Sequence, residues 1–142
     1  FMGVGAKAWA SVSVLQAWLA EAIGTALLAF FVFALTEERS HSRPELKHAP
    51  LFIGLGVAII ISALAPLSMA GINPVKDFAP RLFAYLVGWG SIAIPGPRGG
   101  FFTVYIIAPF VGAFIGASAY HFGFRNPRQE QVDEALVLER QN

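Results

Sequence analysis

Three long apolar runs dominate the chain, and none alternates with polar positions as an element half-exposed to water would. Residues 15–36 are broken only by Gln16 and Glu21, residues 51–70 carry no charge, and residues 101–122 hold a single His121 at their far end. A bilayer core of ~30 Å needs about 20 apolar residues wound as helix, so each run is long enough to span one. Apolar on all sides, each reads as a helix facing lipid or a bundle core. Residues 37–50 and 123–142 are charged and read as a linker and a tail.

The stretch 71–100 breaks this pattern. It opens with NPVKDFAPRLFAYL and continues as a segment rich in Gly and Pro. Asn is a favoured helix cap and Pro is favoured at the first helical position, so Asn73 and Pro74 predict a helix start. The helix expected over 73–86 carries Lys76, Asp77 and Arg81 and contains Pro80. It is too short and too polar to span. A re-entrant half-helix fits, because a helix start at membrane depth is tolerated where protein or a water-filled cavity surrounds it. A helix lying in the interface fits the pattern equally well. Arg81 reads as an interfacial anchor more than as a solute contact, and Trp9, Trp18 and Trp89 are candidates for the headgroup belt, with simple packing the alternative for Trp18.

Composition agrees with a membrane class. The 142 residues are 56% hydrophobic and 13% charged, against roughly 25% charged in soluble domains. The net charge of +1 leaves no basic footprint for nucleic acid. With no cysteine, and with His41, His48 and His121 lacking ligand spacing, neither a metal nor a cofactor is expected. No nucleophile–base or carboxylate pair has a plausible site, so an enzyme is not expected and no residue is assigned a catalytic role. The chain starts at Phe1, which suggests a piece of a longer protein. Arg39, Arg43 and Lys47 in the linker and Arg125, Arg128 and Arg140 in the tail face only Lys7 and Arg98 on the other side. By the positive-inside rule, 37–50 and 123–142 are expected to be cytoplasmic, and the segment at Asn73 to dip in from outside. Asn126-Pro127 in the tail reads as a turn. Glu21 is a lone carboxylate within an apolar span, by default a functional candidate. Gly112 and Gly116 form a small-xxx-small pattern suited to close helix packing.

GINPVKDFAPRLFAYLVGWG (71–90) resembles the second Asn-Pro-Ala loop of the major intrinsic proteins, the aquaporin family, and within them the aquaglyceroporins or glycerol uptake facilitators. AEAIGT (20–25) is similar to the start of their fourth helix, APLS (65–68) to the end of their fifth, and APFVGAFIGA (108–117) to their sixth. The likeness runs from about residue 15 to residue 120 and corresponds to the C-terminal half of such a channel. It implies an all-α membrane protein: half of a right-handed helical bundle with three spans and one re-entrant half-helix. The implied function is passive passage of glycerol or similar small neutral solutes, with water as a further candidate. Implied partners are the solute, the lipid bilayer, the N-terminal half and, once complete, a homotetramer in the plasma or inner membrane.

The resemblance also assigns residues. Asn73, Pro74 and Val75 would form the loop motif, with Asn73 donating to solute. Carbonyls of Met69, Ala70 and Gly71 would form an acceptor ladder. Lys76, Ile61 and Ala70 would occupy filter positions. Glu21 would accept from backbone N–H groups of the loop, in place of a proton-relay role, and Asp77 would support the same loop. Asn73, Ile61 and Ala70 would border an open apolar groove. Two departures stand out: Val75 where the family has Ala, and Lys76 where it has Arg. A planar guanidinium offers a fork of donors, whereas an ammonium is a compact point charge. The second reading is therefore a non-conducting membrane interaction subunit or degenerate channel fragment.

Overall fold

The computed structural model describes residues 11–37, 44–96 and 99–124. The readings made for Phe1, Lys7, Trp9, Arg39, His41, Arg43, Arg98 and the tail, with Arg125, Asn126, Pro127, Arg128 and Arg140, lie outside them. Among the described residues the chain is helical with no strand, and three helical segments are long and apolar enough to cross a membrane. The expected all-α membrane class is what is found.

Helix α1, Val14–Thr36, starts at a capping box. The Gln16 N–H donates to Ser13 Oγ at 3.1 Å, and the Ser13 N–H donates to Gln16 Oε1 at 2.8 Å. Gln16, one of the two breaks in the first apolar run, thus belongs to the cap in the first turn of the helix. Helix α2, Ala49–Ser68, follows a single 3₁₀ turn, Leu46–His48. It begins two residues before the expected position because Pro50 sits in its first turn, where no N–H is needed. It also stops two residues short of residue 70, because Met69 and Ala70 adopt left-handed backbone with φ of 69° and 48°.

Helix α3, Pro74–Ala84, is capped by Asn73. Beyond it the chain winds through a wider turn, Tyr85–Trp89, which ends the helix at Gly88 with φ of 104°. Helix α4, Ala108–Gly123, is entered through another widely wound segment, Phe101–Ile107. Pro109 explains the widening. Its ring would clash with the carbonyl four residues back, and it offers no N–H to that carbonyl. The ladder shifts instead, and the Ala108 N–H reaches Thr103 O, five residues away.

Helix α1 is the central element, packing against α4 and α2. A Cβ added to Gly112 would lie 2.1 Å from Ala22 O, and one added to Gly116 would lie 2.0 Å from Ala26 O. The small-residue pattern therefore serves contact between α1 and α4 within the chain. Two buried clusters result. Ala17, Phe101, Val104 and Tyr105 form one, with the partly buried Trp18 packed against it. Ile60, Ala70 and Ile72 form the other.

Candidate functional site

Between α2 and α3 runs a four-residue connection, residues 69–72, whose backbone is strained. Met69, Ala70 and Ile72 all have positive φ, a region that costs an L-residue roughly 1–2 kcal/mol each. Hydrogen bonds from three directions hold it. The Ala70 N–H donates to Ser68 Oγ at 3.2 Å. The Gly71 N–H donates to Glu21 Oε1 at 2.8 Å and the Ile72 N–H to Glu21 Oε2 at 2.5 Å. The Tyr105 hydroxyl donates to Ser68 O at 2.8 Å. Glu21 has no exposed surface, so both of its acceptor oxygens are spent on this loop. A carboxylate is the right group, because adjacent N–H groups need two acceptors with no donor between them.

At the start of α3, Asn73 Oδ1 accepts from the Val75 N–H at 3.0 Å and from the Lys76 N–H at 3.2 Å. Consuming the carbonyl end in the cap leaves the exposed Asn73 side chain with its NH₂ donors. Pro74 occupies the first helical position. Val75 is 71% exposed. Lys76 Nζ reaches back to donate to Ala70 O at 3.4 Å, so one of the three expected acceptor carbonyls is occupied by the Lys76 amine. The Met69 and Gly71 carbonyls accept no protein hydrogen bond among the described residues. Donors on Asn73 and Lys76 thus stand within a few residues of two unpaired acceptors in the chain, at the positive end of a helix.

Two expectations need correcting, those for Ala70 and Arg81. Ala70 is fully buried and Ile61 packs half-buried on the Ile60–Ile72 cluster. Met69, Asn73 and Val75 are exposed and Ile61 stays partly so, whereas Ala70 offers its carbonyl rather than its side chain. The Asp77 N–H donates to Asn73 O at 3.3 Å, while its carboxylate turns to α3 itself. Its Oδ2 accepts from Arg81 Nε at 2.5 Å. Arg81 is no free interfacial anchor: it is half-buried, lies 4.7 Å from the Tyr105 ring centre and 5.5 Å from that of Phe101, and donates to Ala93 O at 3.4 Å. Asp77 supports its surroundings through Arg81. Tyr105 and Ser68 escaped the sequence reading; the available signal was a Tyr within an apolar span, whose hydroxyl needs a partner when buried. An open cleft of about 470 Å³ lined by Phe33, Glu37, Tyr120 and His121, among others, shares no residue with this site.

Comparison with known proteins bears on the same residues. The family model described as major intrinsic protein matches residues 3–120. A glycerol uptake facilitator protein of Pseudomonas aeruginosa is 45% identical over 111 residues, covering 78% of this chain and 39% of that protein. The propanediol uptake facilitator PduF of Citrobacter freundii is 41% identical over 114 residues, covering 80% of this chain and 42% of its own. The glycerol uptake facilitator protein of Escherichia coli K12 is 40% identical over 110 residues, again covering 39% of its length. The chain spans about two-fifths of these curated relatives. Helices built for a bilayer, a capped half-length helix and a match over most of the chain agree: this is an integral membrane protein belonging to the major intrinsic protein family.

Proposed function

We propose that this chain forms one half of a transmembrane pore that passes glycerol and similar small neutral solutes down their gradient, without enzymatic chemistry. The observation that carries the reading is the cap of α3: Asn73 spends its carbonyl oxygen on Val75 and Lys76 and keeps its amide donors beside the free Met69 and Gly71 carbonyls. A polyol shedding water needs acceptors for its hydroxyl protons and donors for its hydroxyl oxygens, and both lie here. The helix N-terminus and the Lys76 ammonium make the same place unfavourable for cations and protons. The names of the relatives, glycerol and propanediol uptake facilitators, support this solute class.

In this reading α3 is re-entrant, with Asn73 near mid-membrane depth. The linker and tail are cytoplasmic, the membrane is the plasma or inner membrane, and a complementary first half closes the pore within a homotetramer. A second reading, a non-conducting interaction subunit, draws on Lys76: its amine lies on Ala70 O, where it blocks one acceptor. Stopped-flow glycerol uptake into liposomes separates the two. The chain reconstituted with a first half from a related glycerol facilitator is expected to conduct, and Lys76→Arg to raise the flux by restoring a fork of donors. A pair that inserts, assembles and conducts no glycerol in either form favours the non-conducting subunit.

A further inference from the structure

In the channel reading, the distance between the acceptor segment (residues 69–72) and the start of α3 would set how a solute is shared between carbonyls and amine. Lys76 Nζ lies 3.4 Å from Ala70 O, a long contact that a small shift of either element would open or close. Asn73 follows the segment without a break, so chain connection alone leaves the two free to hinge. Something outside them must set the gap.

The geometry points to Tyr105 as the positioning residue that sets this gap, with Arg81 as the part of α3 it holds; the inference rests on the channel reading above. One side chain reaches both elements. The Tyr105 hydroxyl donates to Ser68 O at 2.8 Å, and a Cβ on Gly71 would lie 3.1 Å from its ring, so ring and segment are in close contact. The other hold is on α3. The Arg81 guanidinium lies 4.7 Å from the Tyr105 ring centre, an attractive cation–aromatic arrangement strengthened by shielding from water. Arg81 in turn grips Asp77, the residue next to Lys76. Tyr105 is 7% exposed and fixed in the same cluster as Phe101, so it is a rigid support rather than a mobile link.

The Arg81 contact has a second effect on charge. Asp77 follows Lys76 directly, and a flexible lysine stem could fold onto that carboxylate if it were free. With its Oδ2 occupied by Arg81 Nε, Asp77 is neutralised locally and the Lys76 ammonium remains available to solute. A filter built on lysine depends on this pair because the amine has no planar geometry of its own to hold it in place.

Two measurements test the assignment. The chain contains no cysteine, so spin labels can be placed on Met69→Cys and Val75→Cys, positions 49% and 71% exposed. The distance distribution between them, read by electron paramagnetic resonance in bilayers, reports the gap whether or not the pore conducts. Tyr105→Phe, which keeps the ring, and Arg81→Lys, which keeps the charge, are each expected to broaden it, and Tyr105→Leu to broaden it more. In liposomes holding the chain and a complementary first half, Tyr105→Phe is expected to change the ratio of glycerol to water permeability by about fivefold, the factor that corresponds to one ordinary hydrogen bond. Loss of folded protein would lower both permeabilities together and leave that ratio alone. Unchanged distance distributions in Tyr105→Phe and Arg81→Lys, with wild-type helix content, would overturn the assignment. A wild-type pair that conducts nothing removes the channel reading, and the distance measurement then decides the role of Tyr105 by itself.

Discussion

Glu21 is a carboxylate placed where water does not reach, within an apolar helix, and its stability there follows from two short backbone hydrogen bonds. The cost of burying the group is offset only while both oxygens are used. Its own helix adds to the arrangement, since the Thr25 hydroxyl donates to Glu21 O at 2.7 Å and keeps that polar side chain satisfied. In Glu21→Gln one oxygen becomes an NH₂ that confronts a backbone N–H. The strained residues 69–72 then lose a partner, and a loss of about 1–3 kcal/mol is expected from one buried group left unsatisfied. Thermal unfolding of the purified variant in detergent checks this. An unchanged Tm would show that Glu21 does not hold the loop.

Helices α1 and α4 meet at two glycines, and their separation is set by backbone touching backbone. Ala22 O and Ala26 O lie where the Cβ atoms of Gly112 and Gly116 would be. A carbonyl in a regular helix cannot swing aside as a side-chain tip can, so Gly112→Ala must push the helices apart. Overpacking of this kind costs typically 1–3 kcal/mol. Gly54 in α2 supplies the contrast, because a Cβ there meets nothing within 4 Å. Gly54→Ala is expected to leave the protein unchanged or slightly more stable, as helix propensity favours Ala by about 1 kcal/mol. Size-exclusion profiles after graded heating should show Gly112→Ala lost at a lower temperature than wild type, and Gly54→Ala retained. Equal behaviour of the two would refute the close-packing account.

The molecule as a whole presents a wide apolar surface, with Ile59, Val75, Leu86 and Phe114 each at least 70% exposed. Lipid satisfies apolar side chains at any of these positions, yet it cannot satisfy the free polar groups around Asn73. If α3 is re-entrant as proposed and meets its counterpart end to end, two copies of this chain would have to insert in opposite orientations, and the Lys and Arg bias of linker and tail favours one orientation. The chain reconstituted by itself is therefore expected to pass no glycerol above the background of empty liposomes. Robust glycerol flux from the purified chain alone would contradict this and indicate an antiparallel pair.

Much of the architecture was legible in local sequence. Apolar runs of bilayer length and the Asn73-Pro74 start are local signals: the first reflects transfer of side chains to hydrocarbon, the second the needs of unpaired N–H groups in a first turn. Ser13 and Gln16, Pro50 and Pro109 carried similar information about helix ends, although the widened turn before α4 required weighing what Pro109 does four residues upstream. The loop support by Glu21 came through family resemblance, since nothing within a span names a partner 50 residues away. What only the tertiary structure decided is the cluster of Asp77, Arg81 and Tyr105, the burial of Ala70 and the retreat of α2 to Ser68. Each depends on groups brought together from separate elements, as Tyr105 is to Ser68 across 37 residues. A charged residue read alone, such as Arg81, keeps its options of lipid interface, solute or neighbour. Packing against two aromatic rings and one carboxylate removes all but the last.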